Sequence, residues 1–155
     1  VTQESASVDS LAQTPAKTTT TVAMDFGRLT LAEDLILYLF GTPGQQRFWF
    51  MWDDLCRGAI GAVVLVDTAR IDDSFAPLDY FESKGLPFIV AVNEFDGAPR
   101  YPLPEVAAAL ALSEEIPLLA VDARSRDSAK TALVTVTRFA LNRLVKERAK
   151  ERFGV

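Results

Sequence analysis

The stretch 35–50, L-I-L-Y-L-F-G-T-P-G-Q-Q-R-F-W-F, constrains the fold of this chain more than any other. Residues 35–40 form a continuous apolar run. Its length and lack of alternation suit a strand buried on both faces, as in a parallel sheet. The run stops at Gly41-Thr42-Pro43-Gly44. Two glycines and a proline in four residues end regular structure and expose backbone N–H groups. Polar Gln45-Gln46-Arg47 follows, then a dense aromatic cluster. Delivering a glycine turn and a glutamine to the C-terminal end of a buried strand is how α/β proteins build phosphate sites.

The same pattern recurs downstream. Residues 59–67, A-I-G-A-V-V-L-V-D, read as the strongest buried strand, followed by a polar loop at 68–73. A helix is expected over 74–84, with Gly85 as its C-cap. A strand over 87–92 ends at Asn93, and Pro99 and Pro102 mark a loop. A helix over 104–112 and a strand over 117–121 lead into Asp122-Ala123-Arg124-Ser125. The chain closes with a long amphipathic helix over 128–153, whose stripe reads Leu133, Val136, Ala140 and Leu144. Alternating strands and helices imply a mostly parallel sheet with ligands at its C-terminal strand ends. Four polar clusters fall at such ends: 41–46, Asp67-Thr68, 93–96 and 122–125.

The N-terminal part is less regular. Residues 1–21 are polar, rich in Ser, Thr and Gln, and read as a mobile segment. Thr18–Thr21 suit either a solvated loop or the start of a strand over 20–26. Gly27-Arg28 reads as a hairpin turn, with 29–31 beginning the return. Residues 48–56 read as a short helix. Phe48, Trp49, Phe50, Met51 and Trp52 cannot all face one core on a helix of ~3.6 residues per turn. They are therefore either partly core or a partner surface.

Composition removes several function classes. The chain has 155 residues, enough for one α/β domain with a real core, and is 49% apolar. Its net charge of −5 argues against a general nucleic-acid binder. It has no histidine, which excludes Ser-His-Asp and Cys-His hydrolysis and histidine-rich metal sites. The single cysteine, Cys56, rules out an internal disulfide and fits a reducing cytoplasm. No apolar run approaches the ~18 residues of a membrane span, so no transmembrane segment is expected.

T-V-A-M-D-F at 21–26, G-T-P-G-Q-Q-R-F at 41–48, N-E-F-D at 93–96 and D-A-R-S at 122–125 occur in that order. Together they resemble the switch I, switch II, N-K-x-D and S-A-K segments of the Ras-like small GTPases. The likeness is greatest to the bacterial branch with the gliding-motility (MglA-like) GTPases and the conservon GTP-binding proteins. This resemblance spans nearly the whole chain. It implies a single domain over 1–155 with a three-layer, P-loop-NTPase-like fold: a mostly parallel sheet with one antiparallel strand. It also implies a cytoplasmic switch that binds GTP and hydrolyses it slowly to GDP. Thr21 would coordinate Mg²⁺, the Gly44 N–H would contact the γ-phosphate, and Gln45 would orient the attacking water. The aromatic cluster would meet a roadblock-type homodimer as activator.

The base-reading chemistry can be stated physically. A carboxylate at Asp96 accepts two hydrogen bonds from guanine N1–H and its exocyclic amine, a pair that adenine lacks. Asn93 would tie neighbouring loops together, and the Ala123 N–H would reach guanine O6. Asp122 and Arg124 would border the base in the same loop. The bland alternative for Asn93 and Asp96 is a loop cap. Asp67 suits a cap and a ligand equally.

Three departures stand against the resemblance. Gly41 replaces the family's aspartate, and Glu94 replaces its lysine. No G-x-x-x-x-G-K-[ST] occurs anywhere. The expectation is therefore that the sequence starts after a lost first strand and P-loop. A gap should then separate the strands at 35–40 and 59–66, and GTP and Mg²⁺ should be held weakly or not at all. The competing reading is a nucleotide-free interaction protein that retains the fold.

Overall fold

The computed structural model describes residues 2–8, 20–33, 35–42 and 46–154. They belong to two compact units, Val1–Gly58 and Ala59–Val155.

The first unit holds β1 (Thr2–Val8), β2 (Thr20–Ala32) and β3 (Leu35–Phe40), an antiparallel sheet in the order β1-β2-β3. The expected turn at Gly27-Arg28 does not form. Both residues lie inside β2, with Gly27 opposite Leu39 and Arg28 opposite Tyr38. A two-residue hairpin turn needs a positive φ, and Gly27 is not among the glycines that adopt one. The chain reverses instead after Ala32, where a register irregularity between Thr30 and Ala32 precedes the turn at Glu33. So short a connection permits only antiparallel pairing. β2 and β3 are therefore antiparallel neighbours, and β3 and β4 belong to different sheets.

Nor is β3 buried on both faces. Leu37 is buried while Tyr38 and Phe40 are exposed at 60% and 53%. Phe26, on the neighbouring strand, lies against both, with ring centroids 5.9 Å from Tyr38 and 5.2 Å from Phe40. The run is all apolar, yet from Ile36 onward it alternates outward and inward as a half-buried antiparallel strand does. Residues 2–8, expected to carry no regular element, pair along β2 from Thr2–Phe26 to Val8–Thr20. A 3-10 helix, Gln46–Met51, then runs into α1 (Trp52–Cys56).

The second unit follows the expected alternation. Its strands β4 (Ala62–Val66), β5 (Phe88–Asn93) and β6 (Leu118–Val121) are parallel and lie in that order. Between and after them come α2 (Phe75–Lys84), α3 (Leu103–Ala109) and α4 (Arg126–Phe153). The middle strand is buried from Phe88 through Val92, which explains its unbroken apolar sequence. Complete burial of each Val or Ile there stabilises the fold by about 1.5–3 kcal/mol. On one side of the sheet, Ala132 and Val136 of α4 join Ile89, Ala91 and Val121 in a core cluster.

The α4 stripe differs from the reading above at both ends. Its buried residues are Ala132, Val136, Thr137 and Ala140, while Leu133 is half-buried and Leu144 is exposed. Alanine at two of these positions lets the helix approach the sheet closely. Gly85 ends α2 at φ 63, with its N–H donating to Glu82 O at 3.0 Å and the Leu86 N–H to Phe81 O at 3.2 Å. Among the described residues no helix is long and apolar enough to cross a membrane.

Candidate functional site

Parallel pairing of β5 with β6 sets the site. Asn93, the last residue of β5, is opposite Val121, the last of β6, so both chains enter their loops side by side. The Glu94 N–H donates to Val121 O at 2.7 Å and extends the pairing by one residue. One residue beyond Asp122, the Ala123 N–H donates to the Asn93 side-chain oxygen at 3.0 Å. Asn93 thus ties the two loops together across 30 positions of sequence.

The first loop turns at Phe95–Ala98, where the Ala98 N–H donates to Phe95 O at 3.1 Å and Gly97 takes φ 81. That turn projects the Asp96 carboxylate outward, 89% exposed. The second loop is fixed from its far end by α4. Ser125 caps that helix by accepting from the Ser128 N–H at 3.4 Å, and the Ser128 hydroxyl accepts the Asp122 N–H at 2.9 Å. This Ser-x-x-Ser brace was not singled out in the sequence; its signal is the serine pair flanking the first helical turn.

Arg124 is the hub of the loop pair. Its Nε donates to Asp122 Oδ1 at 3.0 Å and its Nη2 to Asp122 Oδ2 at 2.8 Å, a two-point fork. The Arg124 backbone N–H also donates to Asp122 Oδ1, at 2.9 Å. The remaining arm, Nη1, donates to Asp96 Oδ2 at 2.9 Å. The side-chain hydrogen bond from Arg124 and its positive charge hold the Asp96 carboxyl below its usual range. The same guanidinium and the Arg124 backbone N–H bring Asp122 down to about 2. The paired carboxylates in turn push Arg124 further up. All three groups are charged at neutral pH.

The structure therefore brings together Asn93, Asp96, Asp122, Ala123 and Arg124, but two of them differ from expectation. The Ala123 N–H, assigned to guanine O6, is engaged by Asn93. Asp122, assigned to the nucleotide, has both oxygens on Arg124. The carboxylate thus holds the Arg124 guanidinium at two points. Asp67 acts as a cap: its carboxylate accepts the Ala69 N–H at 2.9 Å and Arg70 Nε at 3.2 Å.

Of the remaining candidates, Thr21 lies in β2 opposite Ser7, and its side chain is outside the described residues. Gly44 and Gln45 are outside them entirely, as is the Phe48 side chain. Trp49 and Met51 are half-buried and Phe50 is exposed at 71%. Trp52 is only 3% exposed, with its ring centroid 5.2 Å from that of Trp49. Trp52 is thus a buried anchor and not a partner surface. Among the described residues no group of three or more His, Cys, Asp or Glu is placed to hold a metal ion.

Comparison with known proteins bears on the resemblance described above. The chain is 35% identical over 78 residues to an uncharacterized protein of Methanocaldococcus jannaschii, an alignment covering 49% of this chain and 50% of that protein. The match thus spans about half the length of the relative. A family described as "Conserved hypothetical ATP binding protein" matches residues 1–143. These matches, to an archaeal protein and to a family of nucleotide-binding proteins, overturn the assignment to the bacterial gliding-motility branch of Ras-like GTPases. The roadblock-type activator was implied by that resemblance, and these matches say nothing of such a partner. An N-x-x-D alone occurs by chance in many chains, so it does not by itself separate one family from another. With 143 of its 155 residues matched, the chain belongs to the family of conserved hypothetical ATP binding proteins.

Proposed function

We propose that this chain binds a purine nucleotide with its base against the loops after β5 and β6, and that Asp96 selects guanine. The observation that carries the reading is the Asn93–Ala123 bond, which locks two loops side by side while Asp96 projects beyond them. The family description names ATP. Base chemistry favours guanine at this carboxylate. Guanine presents N1–H and the 2-amino group as adjacent donors, matching two carboxylate oxygens. Adenine presents one amine beside an acceptor nitrogen, leaving one oxygen facing a lone pair.

Hydrolysis, slow and unaided, is the second half of the proposal. The chemistry suits a primary amide such as that of Gln45, which can accept from a water and donate to a phosphate oxygen at once. Any Mg²⁺ would arrive on the triphosphate, as it usually does where the protein supplies few ligands of its own.

The test is binding of guanosine and adenosine 5′-monophosphates, followed through the backbone amides of residues 93–98 and 122–125. Monophosphates isolate base reading from phosphate anchoring. Guanosine monophosphate should bind at least about tenfold more tightly, the scale of one charge-assisted hydrogen bond. Asp96→Asn should reverse the preference toward the xanthosine analogue, whose exchanged donor and acceptor match an amide. Equal binding of the two purines, or an unchanged preference in Asp96→Asn, removes Asp96 from the site. One observation favours the nucleotide-free reading: Asp96 already has a partner in Arg124. No response to either nucleotide would decide for that reading.

A further inference from the structure

The geometry points to Arg124 as the residue that reads guanine O6, with Asp122 as its positioning residue. This rests on the nucleotide reading above and deepens it. The Watson–Crick edge of guanine runs acceptor, donor, donor: O6, N1–H and the 2-amino group. Its complement must run donor, acceptor, acceptor. Asp96 supplies the two acceptors. The donor that sequence reasoning assigned, the Ala123 N–H, is engaged by Asn93 at 3.0 Å. The next backbone donor, the Arg124 N–H, is engaged by Asp122 at 2.9 Å. Neither backbone group is free for O6.

The Arg124 guanidinium is in the required place. Its Nη1 is 2.9 Å from Asp96 Oδ2, so a donor stands directly beside the carboxylate that supplies the acceptors. An Nη nitrogen carries two hydrogens, and one bond to Asp96 leaves the other for a carbonyl oxygen. The fork of Nε and Nη2 on Asp122, at 3.0 and 2.8 Å, holds the plane of the guanidinium from behind. Arg124 therefore need not leave Asp96 to meet the base. Lysine would not serve: a single ammonium cannot clasp Asp122 at two points and keep a directed third arm. The same arrangement disfavours adenine, whose 6-amino group would point a donor at a donor.

The experiment uses the full chain and four variants, Arg124→Ala, Arg124→Lys, Asp122→Asn and Asp96→Asn. The probes are guanosine, 6-thioguanosine and adenosine 5′-monophosphates, with the fold of each variant checked by circular dichroism. The sulfur of the thio analogue is a weak acceptor, while N1–H and the 2-amino group remain. The parent should bind guanosine over 6-thioguanosine monophosphate by about fivefold to tenfold, and Arg124→Ala should bring that ratio close to one. Arg124→Ala should also lose a similar factor in guanosine monophosphate affinity while adenosine monophosphate binding stays level or improves. Arg124→Lys should behave like alanine at O6, and Asp122→Asn should fall between. Structural damage alone would weaken all three ligands together, so the thio ratio separates the two. If guanosine monophosphate binds the parent in an Asp96-dependent way but Arg124→Ala keeps the thio ratio, Arg124 does not read O6. If Arg124→Ala binds guanosine monophosphate more tightly, Arg124 is a competitor for Asp96 and the inference is overturned. If the parent binds no guanosine monophosphate at all, the underlying nucleotide reading fails, and the assignment of Arg124 fails with it.

Discussion

Replacing Asn93 with alanine tests the element on which the site depends. Its side-chain oxygen accepts the Ala123 N–H at 3.0 Å, at a solvent-accessible edge. Such a bond has a net worth of about 0.5–1.5 kcal/mol, because water replaces it when it breaks. At about 1.4 kcal/mol per tenfold, the Ala123 amide should exchange its hydrogen roughly 2- to 12-fold faster in Asn93→Ala. An internal reference sits one residue from Asn93: the Glu94 N–H donates to Val121 O at 2.7 Å and should be unaffected. Asn93→Asp retains an acceptor at the same place and should keep Ala123 protected. It loses the amide's donor and adds a negative charge beside Asp96 and Asp122, so its guanosine monophosphate affinity should still fall. The assay is amide hydrogen exchange followed by NMR on parent and variants. Unchanged exchange at Ala123 in Asn93→Ala would refute the tie between the loops. Equal acceleration at Ala123 and Glu94 would show that the substitution loosens the whole strand end, and the specific role would fall as well.

Two further outcomes follow from the geometry. The Asp122 carboxyl should titrate near 2, because its folded-state pKa is pulled below the unfolded value of 3.8 by the Arg124 side-chain and backbone donors. The stabilisation is then fully present above 3.8 and lost as pH falls through about 2; a carboxyl carbon titration with its midpoint near 3.8 would refute the clasp. In the aromatic segment, Trp52→Ala should cost about 3–5 kcal/mol in urea unfolding while Phe50→Ala stays within about 0.5 kcal/mol, since Trp52 is 3% exposed and Phe50 71%. Equal effects would mean that the two side chains have been assigned to the wrong sides of that helix.

The second unit was legible because its signals are local and agree with one another. An unbroken apolar run at 88–92 can be satisfied only by burial on both faces, and β5 is the middle strand. Gly85 announces the end of α2 by its freedom at positive φ. Residues 35–40 carry the same apolar signal and mean something else. Composition does not distinguish a strand between two layers from one whose aromatic face is open. The deciding feature lies outside the run, in the short link after Ala32 that makes β3 the antiparallel partner of β2. The α4 stripe shows a smaller version of this limit. Alanine counts as weakly apolar in a periodicity argument, yet Ala132 and not Leu133 joins Val136 and Ala140 on the buried line.

At the site, residue types were legible and hydrogen-bond assignments were not. Parallel pairing carries the ends of β5 and β6 to one edge, so any polar residues placed after both strands must meet. That rule needs only the strand positions, which periodicity supplies. Whether the Ala123 N–H faces a ligand or the protein depends on the rotamer of Asn93, and no spacing rule encodes a rotamer. The reach of Arg124 likewise depends on how Asp122 holds it. Asp122 and Arg124 are two residues apart, close enough for the carboxylate to take the backbone N–H and the fork together. Asp96 is 28 residues away and comes within reach because β5 and β6 end side by side and Asn93 ties their loops together. The proposed base-reading arrangement therefore rests on four residues on two loops. Substituting any one of them should alter how the others meet the base, and single-variant affinities should not add.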